Sequence, residues 1–277
     1  MEPKLWIKIE DEPEFEISEK IPQLQYLGED YGPSMENNYQ TFSAVDGSFF
    51  NFSNFKQNIV NENFILHFNN IHEQKSLQYE VYRMFMNKKL IRLHNNSEYP
   101  FIKYVRAVDF EVEPWRDGAK DALITIPFEN PSGYNFSRNK SDDQDDVWDV
   151  FPLGWNIPEF APDDFEFKKN EFKIYNPSDM EIDPYYQKHE LKMLLKYTSY
   201  DSIALSNATN GSLWALDKPS DGTDEVVVDG INTYFNESQA NVNTNYGTIK
   251  FDKGWNEMSV IGAADIDITF SFPFIYV

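Results

Sequence analysis

Residues 265–277 read DIDITFSFPFIYV, and their pattern decides the fold class. Ile266, Ile268, Phe270, Phe272 and Phe274 take alternate positions, with Asp267, Thr269 and Ser271 between them. Successive side chains of a strand point to opposite faces, so this period of two predicts a half-buried antiparallel strand. The same period recurs upstream in Phe64, Leu66 and Phe68, in Ile124, Ile126 and Phe128, and in Leu191, Met193, Leu195 and Tyr197. Turn signals punctuate these runs. Asp46-Gly47 joins TFSAV to SFFNF, Asp117-Gly118 precedes the strand at Leu123, Asn210-Gly211 precedes residues 212–216, and Asp229-Gly230 joins VVV to INTYF. Asn-Gly and Asp-Gly pairs supply the positive φ of tight hairpin loops, so the expectation is a mainly β protein.

One stretch has a different period. Leu77, Val81, Met84 and Phe85 are spaced i, i+4, i+7, i+8, with Ser76, Tyr79 and Arg83 on the other side. That spacing predicts one amphipathic helix within residues 70–88, laid across a sheet. Asn70 followed by Glu73 reads as a capping box, with Asn in place of the usual Ser or Thr.

The middle of the chain breaks both patterns. Residues 131–164 carry Pro152, Pro158 and Pro162, a cluster of acids, and the aromatics Trp148, Phe151, Trp155 and Phe160. Prolines interrupt any ladder, which places a domain boundary here, yet the segment is too apolar for a freely solvated linker. The expected division is residues 1–135, an extended acidic and aromatic linker over 136–168, and residues 169–277.

Charge and composition exclude several function classes. Lys and Arg number 24 against 46 Asp and Glu, a formal charge of −22, which opposes binding to phosphate backbones or anionic membrane surfaces. The absence of cysteine removes thiol nucleophiles, Cys-ligated zinc and disulfide scaffolds. No run of about 18 apolar residues predicts a membrane span, and the N-terminal residues lack the pattern of a secretory leader. Asn-x-Ser/Thr triplets at Asn51, Asn95, Asn135, Asn207, Asn210 and Asn236 therefore read as chance in an Asn-rich chain.

The search for chemistry yields little. His67, His72, His94 and His189 are expected at strand ends or exposed faces. His189-Glu190 opens like a zinc-protease helix, but Met193 stands where the second His would be. No phosphate-binding loop, dinucleotide fingerprint or nucleophile elbow occurs. Asp142, Asp143, Asp145, Asp146 and Asp149 lack the glycine and closing glutamate of a calcium loop and read as a solvated acidic turn. Trp214, Tyr234 and Trp255 are candidates for stacking on sugar rings, with core or turn packing as the competing account. Catalytic, cofactor-binding and metal-binding residues are accordingly all expected to be absent. An aromatic-rich, acidic β protein without reactive groups suits a molecule that works by assembling.

The order of these segments resembles the distal tail proteins (Dit) of long-tailed siphophages, particularly those of Gram-positive hosts. The resemblance runs over nearly the whole chain. It includes the strand at 5–9, TFSAVDGSFFNFSNF at 41–55, the strand at 64–68, the single helix, and ITIPFENPSGY at 124–134. It continues through FKIYNPSDMEIDPYYQKHELKMLLKY at 172–197, VDGINTYFN at 228–236 and the Gly-Trp-Asn turn before the terminal strand. The resemblance implies an N-terminal β-sandwich with one helix, forming a six-fold ring, and a C-terminal galectin-like β-sandwich.

The implied role is a hexameric hub in the virion, at the distal end of the tail, made in the host cytoplasm. It would join the tail tube protein to a tail-associated lysin-type protein and to receptor-binding or baseplate proteins, leaving a channel for DNA. The protein would be no enzyme, with no sequence-specific nucleic-acid binding and no membrane contact. Its acidity would keep phosphates off the channel wall. The competing readings are a carbohydrate-binding β-sandwich module and a glycoside hydrolase or lyase accessory protein. Interface candidates are Asp46, Gly47, Phe49, Phe50 and Phe52 at the hairpin, and Tyr134, Phe136, Trp148, Phe151 and Trp155 in the aromatic stretch, because apolar residues beside turns or prolines are hard to hide within one subunit; the competing account is that these aromatics cap their own domain's core.

Overall fold

A computed structural model describes residues 2–143 and 162–277. The chain divides into two compact units, residues 1–135 with 277, and residues 136–276. Both are built from antiparallel sheets, as the alternating runs predict.

The first unit holds β1 (Leu5–Ile9), β2 (Phe15–Glu16), β3 (Leu24–Asp30), β4 (Met35–Gln40), β5 (Phe49–Phe55), β6 (Asn58–His67), β7 (Ile91–Asn95), β8 (Phe101–Ala107) and β9 (Asp121–Asn130). Seven of them form one ladder in the order β2-β1-β7-β8-β9-β6-β3. β8 is its joint: Lys103, Tyr104 and Val105 pair with β7, whereas Arg106 and Ala107 pair with β9. The two halves share one core, in which Leu5, Ile7 and Leu93 are buried together with Val60, Phe64, Leu66, Ile124, Ile126 and Phe128.

Two helices serve this unit. A single turn, α1 (Ile17–Lys20), has no counterpart in the sequence reading; Glu16 accepts from the backbone N–H of Ser18, and Ile17 is buried in the core. The expected helix is α2 (Ile71–Phe85). It buries Leu77, Val81 and Phe85 against the core, with Met84 at the margin and Gln74 inside, while Ser76, Tyr79 and Arg83 are exposed. Asn70 accepts from the N–H groups of His72 and Glu73, satisfying two of the helix's orphan donors. The return half of the capping box is displaced by one residue: Glu73 Oε2 accepts from the N–H of Asn69 instead of Asn70.

The second unit continues with β10 (Asn135–Lys140), β11 (Glu166–Phe167), β12 (Glu171–Asn176), β13 (Lys192–Ser199), β14 (Ile203–Asn207), β15 (Leu213–Leu216), β16 (Ser220–Asp221), β17 (Val226–Asp229), β18 (Asn232–Phe235), β19 (Ser238–Gln239), β20 (Gly254–Ile261), β21 (Asp265–Ser271) and β22 (Pro273–Tyr276). One sheet runs β11-β21-β13-β17-β18-β19, with β16 paired to β13. The other runs β12-β20-β14-β15. The Asp229-Gly230 hairpin forms with its loop shifted by one residue, since Asp229 is still paired with Asn232 and the loop is Gly230-Ile231.

The C-terminal run is inward-facing as its alternation predicts, but it is two strands instead of one. Ile266, Ile268, Phe270, Phe272 and Phe274 are all buried. β21 ends at Ser271, and β22 pairs with β10. Three serine hydroxyls satisfy the backbone at the break. Ser141 Oγ accepts from the N–H of Phe272 and donates to the carbonyl of Phe270, Ser137 accepts from Phe274, and Ser178 accepts from Ile275. Phe165, Phe251, Phe272 and Phe274 pack their rings edge-on or tilted around this point, at 5.4–5.9 Å.

Trp214 belongs to the core, at 1% exposure, and donates from its indole N–H to Thr233 Oγ1, which removes it as a sugar platform. Trp255 remains exposed. The Asn256 beside it is fully buried, accepts from Asn207 Nδ2 at 2.8 Å and donates to the carbonyls of Asp252 and Gly254. The Gly-Trp-Asn turn is thus pinned by its asparagine.

Candidate functional site

The site is built from what the core leaves outside. Among the described residues β4 and β5 pair only with each other, and every residue of the two strands is exposed except Phe55, which is half-buried. They form a hairpin arm joined by residues 41–48. The tight Asp46-Gly47 hairpin expected from the sequence is corrected here. The paired strands are MENNYQ and FFNFSNF, and Gly47, at φ +82°, lies inside a longer loop. TFSAV is loop, and its Phe42 and Val45 are about half exposed, so alternation there has no core to answer to.

Consecutive strand residues face opposite ways, so Phe49 and Phe50 give the arm an aromatic on each face. They are 55% and 58% exposed, and Phe52 is 50% exposed. Phe50 lies edge-on to Tyr39 at 5.9 Å, and Phe49 edge-on to Phe42 at 5.6 Å. A register shift after Asn38 places Phe52 opposite it, and Asn51 Nδ2 donates to Asn38 Oδ1 at 2.8 Å. An isolated two-stranded hairpin is marginal in water, and these contacts are all lateral, within the hairpin itself.

The root of the arm is held firmly. The Lys56 N–H donates to the carbonyl of Ser34 at 2.8 Å, Asn58 Nδ2 donates to the carbonyl of Gly32 at 2.9 Å, and Lys56 pairs with Glu36 at 3.1 Å. Phe55 meets Tyr134 edge-on, at 6.5 Å. Gly133, at φ +76°, lets the chain pass beside Lys56. A Cβ there would sit 2.1 Å from the Lys56 carbonyl oxygen. Gly133→Ala is therefore expected to cost well over the ~1 kcal/mol of the left-handed conformation alone, read as a fall in Tm. An unchanged Tm would mean that the root does not depend on this close approach.

Beneath the root lies a buried ionic cluster. Lys103 Nζ lies 3.1 and 2.9 Å from the two oxygens of Glu29 and 2.9 Å from Glu98, and it sits 4.1 Å over the ring of Tyr31. Glu29 is on β3, three places along the ladder from β8, so the ladder curls back on itself to bring the two together. Asn95 organises both acids: its Nδ2 donates to Glu29, and its Oδ1 accepts from the N–H groups of Ser97 and Glu98. Tyr31 donates to Glu98 and accepts from Asn135 Nδ2. Burial works against the Lys103 ammonium, but Glu29 and Glu98 outweigh it and hold it protonated. Burial pushes the Glu29 carboxyl up while Lys103 pulls it back.

Glu62 on β6 pairs in register with Glu29 and is 1% exposed. Tyr26 donates to it at 2.8 Å. Burial, reinforced by the Glu29 charge, pushes its carboxyl up to about 8, so it is predominantly neutral at pH 7.

Of the interface candidates, Asp46, Gly47, Phe49, Phe50 and Phe52 all lie on the arm, and Tyr134 lies against its root. Phe136 is half-buried in the second unit. Trp148, Phe151 and Trp155 fall outside the described residues, as do Asp145, Asp146 and Asp149. Asp142 and Asp143 are half-buried, and Asp143 caps the N–H of Lys140.

Among the described residues no three His, Asp or Glu side chains gather to hold a metal, and no helix is long and apolar enough to cross a membrane. The histidines depart from expectation in two cases. His94 is buried and stacked on Trp6 at 4.9 Å, and His189 is buried beside the carbonyl of Glu181. His67 and His72 are exposed, as expected.

Sequence comparison finds no matching family model and no matching curated protein. Comparison of folds does find matches. The Dit protein (gp 19.1) of phage SPP1, described as a paradigm of the hub adsorption apparatus in phages infecting Gram-positive bacteria, superposes with a TM-score of 0.69 at 8% identity, over 98% of this chain and 99% of its own. A chain of the phage P2 baseplate in its activated conformation with Ca gives 0.49 at 10% identity, over 99% and 98%. The protein thus has the fold of the SPP1 hub protein across both units.

Proposed function

We propose that this chain is a distal tail protein: a structural, non-enzymatic hub of a phage tail tip. The observation that carries the reading is the fold likeness to the SPP1 Dit protein, which extends over nearly the full length of both chains. The features of this chain agree with it. The conspicuous exposed surface of the first unit is an aromatic arm, which suits assembly.

In this reading six copies close into a ring around a channel that passes DNA, within the virion. The ring carries the tail tube on one side and the tail-tip, baseplate and host-recognition proteins on the other. Closure suits a chain with an open ladder end, because a ring leaves no free edge to template aggregation. Electron microscopy of the purified chain, alone or with co-expressed tail-tip proteins, should show six-fold rings with a particle mass six times 32.5 kDa. Particles of any other symmetry in both preparations would overturn the proposal.

A further inference from the structure

We infer that the solvent face of β12 and β20, around Trp255, binds a neutral, hydroxyl-rich sugar chain. The inference goes beyond the proposed hub and does not depend on it. Of the three aromatics weighed as sugar platforms, Trp214 is in the core and Tyr234 is half-buried, while Trp255 is 60% exposed. Two observations at Trp255 carry the inference.

The platform is aromatic and held in place. Tyr175 of β12 and Trp255 of β20 share the outer face, since Ile174, Asn176, Asn256 and Met258 alternate with them and are buried. The two are paired in register, with ring centroids 5.0 Å apart and planes at 70°. The backbone under the indole is fixed by the fully buried Asn256. It accepts from Asn207 Nδ2 and from the N–H of Asp252, and it donates to the carbonyls of Asp252 and Gly254. A surface fixed before its ligand arrives loses little freedom on binding.

The charge around the platform is balanced. One rung along, Lys173 pairs with Glu257 at 2.7 Å. On the other side of Trp255, Lys253 meets Asp179 at 3.1 Å. All four side chains are largely exposed, and exposed pairs contribute little to stability. In a chain of 46 acids and 24 bases, two acids matched by two lysines leave this strip without the negative excess of the whole. An anionic polymer needs unpaired cations, and a basic peptide needs unpaired acids. A strip whose charges are already matched fits a neutral ligand.

A sugar chain supplies the rest of the match. The C–H face of a pyranose lies on an indole ring, and its hydroxyls, which both donate and accept, meet ammonium donors set beside carboxylate acceptors. Aromatic surface with a few fixed polar groups is the usual composition of a small-ligand site. Residues 255 and 257 stand about 7 Å apart on one face, so a chain lying along β20 meets the ring and the Lys173–Glu257 pair together.

Saturation-transfer NMR on the full chain tests this with three neutral probes, maltohexaose, cellohexaose and chitohexaose, and one anionic probe, polygalacturonate. At least one neutral probe should receive saturation on its ring C–H protons, with Kd of about 0.1–1 mM. Trp255→Ala should weaken that binding roughly tenfold or more, and Trp255→Tyr should restore most of it. Lys173→Ala with Glu257→Ala should weaken it without lowering Tm, because both side chains are exposed. Tyr200→Ala, at a ring 99% exposed elsewhere, should leave it unchanged.

No binding of any neutral probe at about 10 mM would overturn the inference. So would unchanged binding by Trp255→Ala or by the double alanine variant, or polygalacturonate that binds as tightly as the neutral probes. The two proposals fail separately. Six-fold rings that bind no sugar would keep the hub and remove the site, whereas a chain that binds sugar through Trp255 and forms no rings would keep the site and remove the hub.

Discussion

Lys103→Met should destabilise the first unit by about 3–5 kcal/mol at neutral pH. Methionine preserves the length and apolar stem of lysine, so what is lost is the ammonium that Glu29, Glu98 and Tyr31 surround. Lys103 is 4% exposed, and its departure strands the largely buried Glu29 carboxylate beside Glu98, whose side chain is about a third exposed. Removing one partner of a buried pair is costlier than the pair itself is stabilising, because the remaining charge stays desolvated.

The pH dependence gives the sign. In the wild type the lysine pKa is raised, so its contribution is complete at neutral pH and is lost only as pH rises beyond the ordinary lysine value near 10.4. In the variant, Glu29 relieves its isolation by taking up a proton, so the deficit should shrink as pH falls toward 4–5. Urea unfolding at neutral and mildly acidic pH measures both numbers. A deficit below ~1 kcal/mol at neutral pH, or one that ignores acidification, would show that the cluster is effectively solvated. Domains are stable by only about 5–15 kcal/mol, so the expected loss is a large share.

The sequence discloses the fold better than the site, for reasons that particular residues make plain. The alternation in β6, β9 and β13 was legible because each strand has one face in a core and that face obeys a period of two. Helix α2 was legible from its stripe and from Asn70. The break after Ser271 was not, because the hydroxyls that satisfy it come from Ser137, Ser141 and Ser178, far away in the chain. The arm's aromatics could be suspected from FFNF, but β4 could not, since MENNYQ has no apolar period when neither face meets a core.

The buried ions do leave a signal in the sequence. In β6 the inward positions run Asn58, Val60, Glu62, Phe64, Leu66, and in β8 they include Phe101, Lys103 and Val105. A charge standing in phase with the core residues of a strand has to find a partner or give up its charge. Both outcomes occur here, Lys103 taking the first and Glu62 the second. Their common address is the base of the arm: Tyr31, two residues before Pro33, is bonded to Glu98, while β6 leads away from the arm's other strand. The polar core is therefore placed to fix the direction in which the arm leaves its unit.

Glu62→Gln should leave stability nearly unchanged at pH 4 and raise it by roughly 3–5 kcal/mol at pH 7–8. The argument is one of proton linkage. A glutamate in an unfolded chain titrates near 4.3, whereas Glu62 in the folded unit is pushed up to about 8. Between those values the folded state holds a proton that the unfolded state has released, so stability falls as pH rises, by about 1.4 kcal/mol per unit at most. Below the lower value both states are protonated and the penalty vanishes.

Glutamine keeps an oxygen to accept the Tyr26 hydroxyl and removes the titration. It therefore mimics the protonated wild type at every pH and faces Glu29 without developing a like charge across the strands. Urea midpoints of both proteins across pH 4–9 would show the wild-type curve sloping downward and the variant curve flat in that interval, apart from the groups they share. Parallel curves would mean that Glu62 titrates as an ordinary surface acid, and that β3 and β6 carry two charges side by side at neutral pH.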